Sequence, residues 1–179
     1  MKKTFVCILL CGVLFSASAQ TDKGDWIVGG RIDLNTGENS SEFGFNPDAG
    51  IFVINNLAVG ANLDIDYLKS GDTKTTRFGV GPFARFYFTR HMVRPLVHGN
   101  VNYISSKVKA PGFTSTNNGT NLFLGGGLAY FINQNIALEG LIGYSNTKYK
   151  DFEGSGGLSI GIGFQAYLSR RQVEKMRGQ

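Results

Sequence analysis

Residues 77–88 read RFGVGPFARFYF, and apolar side chains occupy every second position of this stretch. The apolar set runs from Phe78 to Phe88, whereas the intervening set begins at Arg77 and includes two glycines and Arg85. In a β-strand, successive side chains point to opposite faces. The alternation therefore predicts a strand with one apolar face and one polar face.

Seven further stretches show the same two-residue period. The eight predicted strands are residues 26–34, 45–53, 59–67, 77–88, 97–103, 121–130, 136–144 and 158–168. Most have about nine to eleven residues, the length that a tilted strand needs to cross a bilayer. An even number of such strands predicts a closed barrel in up-and-down order.

The predicted connections alternate between tight and long. The tight ones cover residues 54–57, 89–93 and 132–135, and the long, polar ones cover 35–44, 69–75, 105–119 and 146–155. Outer-membrane barrels have short periplasmic turns and long extracellular loops. We therefore expect both termini in the periplasm. The third long loop is expected to be mobile and water-facing, or to offer a surface for adhesion.

The N-terminus has the pattern of a secretory signal peptide. Two lysines precede an apolar stretch over 5–15 that is too short for a transmembrane helix, and Ala17-Ser18-Ala19 forms a small-x-small cleavage site. We predict a cleaved signal peptide over 1–19, a barrel over 20–168 and a short basic periplasmic tail over 169–179. Both cysteines fall in the signal peptide, so the processed barrel would need no disulfide.

Charge is distributed unevenly along the chain. The whole sequence carries 18 basic and 13 acidic residues, but residues 20–168 carry 12 of each. The pI of about 9.3 therefore reflects the two ends of the chain. A nucleic-acid partner would require a basic face on the fold, so we expect none.

Alternation alone does not say which face of the barrel points outward. A water-soluble barrel of the lipocalin type would turn its apolar face inward. Here the polar face is rich in glycine, which suits the crowded interior of a narrow barrel. The apolar face ends in aromatic residues near both rims, as in the girdles of membrane barrels. The six predicted girdle residues are Trp26, Tyr67, Phe88, Tyr103, Tyr130 and Tyr144. We therefore predict an all-β fold, a closed eight-stranded antiparallel up-and-down transmembrane β-barrel.

The signal peptide, the eight amphipathic strands and the hairpin rhythm together resemble the small bacterial outer-membrane β-barrel family. The resemblance covers residues 20–168 and extends to the membrane domain of OmpA and to OmpX. It implies the outer membrane of a Gram-negative bacterium, contact with outer-membrane lipid and lipopolysaccharide, and assembly by the barrel-assembly machinery. The last strand resembles the family's C-terminal assembly signal, although the chain continues past it as a tail too short for a peptidoglycan-binding domain.

Charged residues lie on the inward face of the predicted barrel. The predicted lumen network comprises Arg31, Asp33, Asp48, Asp64, Asp66, Arg77, Arg85, His98 and Glu139, and Arg94 also points inward. In a narrow lumen such charges must pair or be hydrated. The first interpretation is an ion-pair network that fills the interior. The alternative is a narrow porin-like channel for ions or small solutes, in which pairs such as Arg85 with Asp64 open and close.

Residues for enzyme chemistry are sparse. His91 lies in a predicted turn and His98 points into the lumen, and neither is followed two residues later by a serine. No cysteine or histidine cluster suits a transition metal, and the Gly-x-Gly pairs lie within strands rather than before a helix. We predict no catalytic, cofactor or metal site. The expected role is non-catalytic, structural or surface-interacting, with a possible ligand at the extracellular loops of a monomer.

Overall fold

The structure is a computed structural model that describes residues 21–37, 40–150 and 154–178. The side chains of residues 34–42 are outside the description. The predicted signal peptide over 1–19 also lies outside the described residues, so it stays a prediction.

Eight antiparallel strands follow one another along the described chain. Their bounds are β1 Trp26–Gly37, β2 Ser40–Ile54, β3 Leu57–Ser70, β4 Thr73–Tyr87, β5 Val93–Ala110, β6 Phe113–Phe131, β7 Ile136–Tyr149 and β8 Ser155–Leu168. Each strand pairs with the next, and β8 returns to pair with β1, which closes the barrel. The predicted fold class and strand number are confirmed.

Strand β4 shows how the two-residue period sets the faces of the barrel. Phe78 and Val80 are exposed on the outside, whereas Phe83, Arg85 and Tyr87 are buried in the interior. The other strands keep the same phase, with large apolar side chains outward and glycine, polar and aromatic side chains inward. Apolar side chains on the outside of a closed barrel form the surface that contacts lipid.

Two connections expected to be long loops are strand hairpins instead. Strands β5 and β6 remain paired up to Ala110 and Phe113, so the turn is reduced to Pro111 and Gly112. Strands β3 and β4 likewise pair up to Ser70 and Thr73. Threonine-rich segments favour extended backbone, and beyond the membrane neither face of a hairpin has to be apolar. The apolar period therefore ends before the strands do.

The predicted tail begins with a short helix, α1, at Arg170–Met176. Ser169 caps it: its side chain accepts from the Gln172 backbone N–H, and the Gln172 side chain accepts from the Ser169 backbone N–H. The Arg170 backbone N–H donates to Asp25 Oδ1 at 3.1 Å, which ties the helix to the segment before β1. Among the described residues, no helix has the length and apolar character needed to span a bilayer.

Glycines allow the barrel wall to approach a large inward side chain. Gly125 of β6 lies opposite Gly143 of β7, and the Phe123 ring lies over both. A Cβ at position 143 would lie 2.6 Å from the Gly125 Cα and 2.7 Å from the Phe123 Cζ. Only a residue without a Cβ fits here without moving its neighbours.

We predict that Gly143→Val weakens barrel assembly, whereas Gly140→Val on the same strand does not. Valine at 143 must displace backbone and ring, and such overpacking costs about 1–3 kcal/mol. Gly140 faces outward, and a Cβ there meets nothing within 4 Å. The folded fraction of each variant can be read from the faster migration of unboiled protein on a gel. Equal folded fractions would contradict the packing argument.

Candidate functional site in the barrel lumen

One end of the barrel, here called the termini end, carries α1 and the turns at 55–56, 88–92 and 132–135. Four large rings cross the lumen at this end, and we call them the aromatic layer. The aromatic layer consists of Phe52, Tyr87, Phe131 and Tyr167, none of which is more than 1% exposed. The Phe131 and Tyr167 ring centroids are 4.8 Å apart, and the two tyrosine hydroxyls are 2.7 Å apart. The rings therefore close the lumen at this level.

Arg94 covers the aromatic layer from the termini side. Its guanidinium carbon lies 4.1 Å from the centroid of the Phe131 ring. Its Nη1 donates to Thr21 Oγ1 at 3.0 Å, and its Nε donates to the His91 carbonyl at 2.9 Å. Arg94 and Thr21 are both almost fully buried. The segment before β1 thus helps to seal this end of the barrel.

A second layer, the charged layer, lies next to the aromatic layer, on the side away from the termini end. Arg85 is at its centre, with Nη2 3.1 Å from Asp48 Oδ2 and Nη1 3.0 Å from Glu139 Oε2. Arg85 Nε donates to His98 Nδ1 at 3.1 Å, and Gln165 Nε2 donates to Asp48 Oδ2 at 3.0 Å. The guanidinium therefore bridges strands on opposite sides of the barrel.

The two layers are joined by hydrogen bonds at Glu139. Its Oε1 accepts from the Tyr87 hydroxyl at 2.8 Å and from the Tyr167 hydroxyl at 3.0 Å, while its Oε2 faces Arg85. A buried carboxylate is tolerated when a cation and several donors surround it. At this site the buried positive charge of Arg85 and the buried negative charges of Asp48 and Glu139 neutralise each other.

The other half of the lumen is open, and we call it the cup. Its charged side chains are Arg31, Asp33, Asp64, Asp66 and Arg77. The cavity has a volume of about 490 Å³ and reaches down to the Phe123 ring. The cup opens toward the end of the barrel formed by the turns at 71–72 and 111–112, here called the hairpin end.

Two ion pairs lie in the wall of the cup. Arg31 Nε is 3.0 Å from Asp33 Oδ2, and Arg77 Nη1 is 3.1 Å from Asp66 Oδ2. The Arg31 guanidinium also lies 4.8 Å from the centroid of the Phe123 ring. These pairs are more exposed than the pairs of Arg85, so water screens them more strongly.

Asp64 is held in a different way. Asn62 Nδ2 donates to its Oδ1 at 3.3 Å, and Asn102 Nδ2 donates to its Oδ2. Gly81, on the strand between these residues, leaves room for Asn102, because a Cβ at position 81 would overlap the Asn102 amide. Both oxygens of Asp64 thus accept hydrogen bonds from asparagine amides.

The predicted lumen residues separate into two groups. The structure places Asp48, Arg85, His98 and Glu139 in the charged layer, and Arg31, Asp33, Asp64, Asp66 and Arg77 in the cup. The predicted pairing of Arg85 with Asp64 is wrong. Arg85 pairs with Asp48 and Glu139, because the stagger of the strands brings those carboxylates to its level.

Sequence reasoning missed several residues that complete the lumen. The two-residue alternation could have identified three of them, because it places the side chains of Tyr87, Tyr167 and Gln165 on the inward face. Thr21 precedes the first strand, so no pattern pointed to it. Within the described residues, no group of three or more His, Cys, Asp or Glu side chains could hold a metal ion.

The predicted girdle residues all have the outward phase. Tyr67, Tyr103 and Tyr144 lie toward the hairpin end, and Phe88 and Tyr130 lie near the termini end; all five are exposed. Trp26 is half-buried at the start of β1. The apolar side chains between the two groups form a continuous band around the barrel.

An apolar band around a closed antiparallel barrel defines the class of outer-membrane β-barrels. A model of the outer membrane protein β-barrel domain family matches residues 5–169. The chain belongs to this family. No curated protein matches the sequence.

Several solved structures share the fold. Neisserial surface protein A has a TM-score of 0.58 and 17% identity, with 79% of this chain and 94% of that chain covered. The N-terminal barrel domain of Pseudomonas aeruginosa OprF has a TM-score of 0.58 and 14% identity, with 83% and 100% covered. Ail, the attachment invasion locus protein of Yersinia pestis, has a TM-score of 0.52 and 15% identity, with 82% and 99% covered. At these identities the likeness concerns the fold.

We predict that Arg85→Ala lowers the free energy of unfolding by about 3–5 kcal/mol, because Asp48 and Glu139 stay buried without their guanidinium. Arg77→Ala is the matched control. Its pair with Asp66 is partly exposed, and such pairs contribute about 0–1 kcal/mol. Urea-induced unfolding in lipid vesicles measures both values. Equal losses in the two variants would show that the charged layer does not depend on Arg85.

Proposed function

We propose that this protein is a non-catalytic outer-membrane barrel with a structural or surface-interaction role, and that its interior does not conduct. The closed lumen is the observation that carries this proposal. The aromatic layer and the charged layer cross the barrel one above the other, and their large side chains are nearly inaccessible to water. An eight-stranded barrel is just wide enough for its side chains to fill it.

A narrow channel for ions or small solutes is the second candidate. It is favoured by the cup, a polar cavity that extends from the hairpin end to the Phe123 ring. For ions to pass, the charged layer and the aromatic layer would both have to move. The hydrogen bonds from Tyr87 and Tyr167 to Glu139 couple the two layers, so opening would break them together.

We predict no single-channel current in planar bilayers for either the native barrel or Arg85→Ala. Removing Arg85 opens the charged layer, but the aromatic layer still closes the lumen. Both proteins should first be shown to be folded by their faster migration when unboiled. A current in the native barrel that grows in Arg85→Ala would instead support a charge-gated channel.

Surface interaction is assigned to the hairpin end. The β5–β6 hairpin contains the two longest strands of the described chain, with 18 and 19 residues, and carries an exposed Phe113 beside its turn. We propose that this end faces the outside of the cell and that the termini end faces the periplasm. The proposed surroundings are outer-membrane lipid and lipopolysaccharide, with the barrel present as a monomer.

We predict that a cysteine at position 114 reacts with a membrane-impermeant maleimide on intact cells, whereas one at position 171 does not. Thr114 and Arg171 are both exposed, at the hairpin end and in α1 respectively. The native cysteines, Cys7 and Cys11, both lie in the predicted signal peptide, so the background should be low. Permeabilised cells provide the control, in which both positions should react. The reverse pattern on intact cells would invert the proposed orientation.

A further inference from the structure

Four lysines form a patch on the outside of the barrel, where strands β3, β4 and β5 extend toward the hairpin end. Lys74 of β4 lies directly opposite Lys69 of β3 and also directly opposite Lys109 of β5. Lys107 is two residues from Lys109 on the same face of β5. All four side chains have the outward phase and are exposed. We call this group the lysine patch.

Strand geometry holds these lysines close together. Side chains directly opposite each other on antiparallel strands have Cβ atoms about 4.5–5.5 Å apart, and alternate residues along one strand are about 7 Å apart. Lys74 therefore has a neighbour of like charge on each side, and such pairs destabilise a sheet. Each ammonium group lies at the end of a flexible four-carbon stem, so the four groups can turn toward a single anion.

No carboxylate among the described residues neutralises the lysine patch. The ion pairs of the described chain all involve arginines, and none includes a lysine of the patch. The neighbours of Lys107 and Lys109 on β6 are Thr116 and Thr114, which are uncharged. Asp72 is the only acidic residue in the segments 68–76 and 104–118. The patch therefore keeps a net positive charge that an external anion can neutralise.

The lysine patch borders the apolar band of the barrel. Two residues from Lys74 toward the membrane, Thr76 lies opposite the girdle residue Tyr67. Two residues further along β4, Phe78 lies opposite Ile65, and both are exposed within the apolar band. Along this part of the wall, the outward side chains thus change from apolar to hydroxyl-bearing and then to cationic. A phospholipid presents matching groups in the same order, from its acyl chains through its glycerol to its phosphate.

We propose that the lysine patch binds the phosphate of an anionic lipid whose acyl chains lie against Ile65 and Phe78. A lipid is favoured over a soluble anion because the patch faces sideways from the barrel wall and lies beside the aromatic girdle, at the level of lipid head groups. The inference deepens the surface role proposed for the hairpin end, and it rests on that role only for the leaflet that supplies the lipid.

Tryptophan quenching by brominated lipids provides the test, because Trp26 is the single tryptophan of the sequence. In a Trp26→Phe background, one barrel carries Phe78→Trp below the lysine patch, and the matched control carries Ile160→Trp on β8. Each barrel is placed in phosphatidylcholine nanodiscs with a small, fixed fraction of lipid brominated in its chains, either phosphatidylglycerol or phosphatidylcholine. Both leaflets of a nanodisc hold the same lipids, so the result does not depend on the orientation in the cell.

The two tryptophan positions are matched in depth. Each lies two residues on the membrane side of a residue that pairs with a girdle tyrosine, because Thr76 pairs with Tyr67 and Leu158 pairs with Tyr144. They differ in the charge nearby, since strand β8 contains no basic residue. A difference in quenching between the two positions therefore reports the lysine patch.

We predict that brominated phosphatidylglycerol quenches the tryptophan at 78 more strongly than brominated phosphatidylcholine does, whereas the two lipids quench the tryptophan at 160 equally. Lys74→Gln should lower the affinity for phosphatidylglycerol relative to phosphatidylcholine by roughly fivefold, the contribution of one lysine near a charged membrane surface. Lys148→Gln, which removes an exposed lysine of β7 outside the patch, should leave this preference unchanged. Faster migration of unboiled protein shows that each variant is folded.

Equal quenching by the two lipids at 78 would overturn the proposal, as would a preference that survives Lys74→Gln combined with Lys109→Gln. The same preference at 160 would also overturn it, because the attraction would then belong to the whole barrel. Inorganic phosphate should restore the fluorescence no more than sodium chloride of equal ionic strength does. A larger recovery would assign the patch to a soluble anion instead of a lipid. None of these outcomes would alter the proposed orientation or the closed lumen, which labelling and conductance test separately.

Discussion

Lipid offers no hydrogen bonds to a polypeptide backbone, and this constraint governs the whole molecule. Strands can cross hydrocarbon if every strand has a partner on both sides, which requires a closed barrel. Closure in turn fixes the faces, because an alternating strand turns one set of side chains to lipid and the other to the axis. The charged side chains of the lumen network point toward the barrel axis, so they must neutralise each other inside.

Because the barrel is narrow, the side chains that neutralise each other also block the lumen. Arg85 bridges Asp48 and Glu139 across the lumen, and Glu139 also accepts from both tyrosines of the aromatic layer. The same side chains thus satisfy buried charge and fill the space. The cup, in contrast, keeps a cavity of about 490 Å³.

Among the described strand pairs, the seam between β1 and β8 has the fewest paired positions. It joins the two ends of the barrel sequence and is paired over seven positions, whereas β5 and β6 are paired over eighteen.

The sequence by itself determined the number of strands, the face of each strand and which strand side chains point into the lumen. These properties depend on a two-residue period, which is local and can be read along the chain. The tertiary structure alone decided which of those side chains meet. Asp48 and Gln165 are 117 residues apart in sequence yet 3.0 Å apart in space, because the stagger of the strands around the axis sets the partners. For the same reason, Arg85 meets Asp48 and not Asp64. The length of the hairpins likewise depends on pairing between strands.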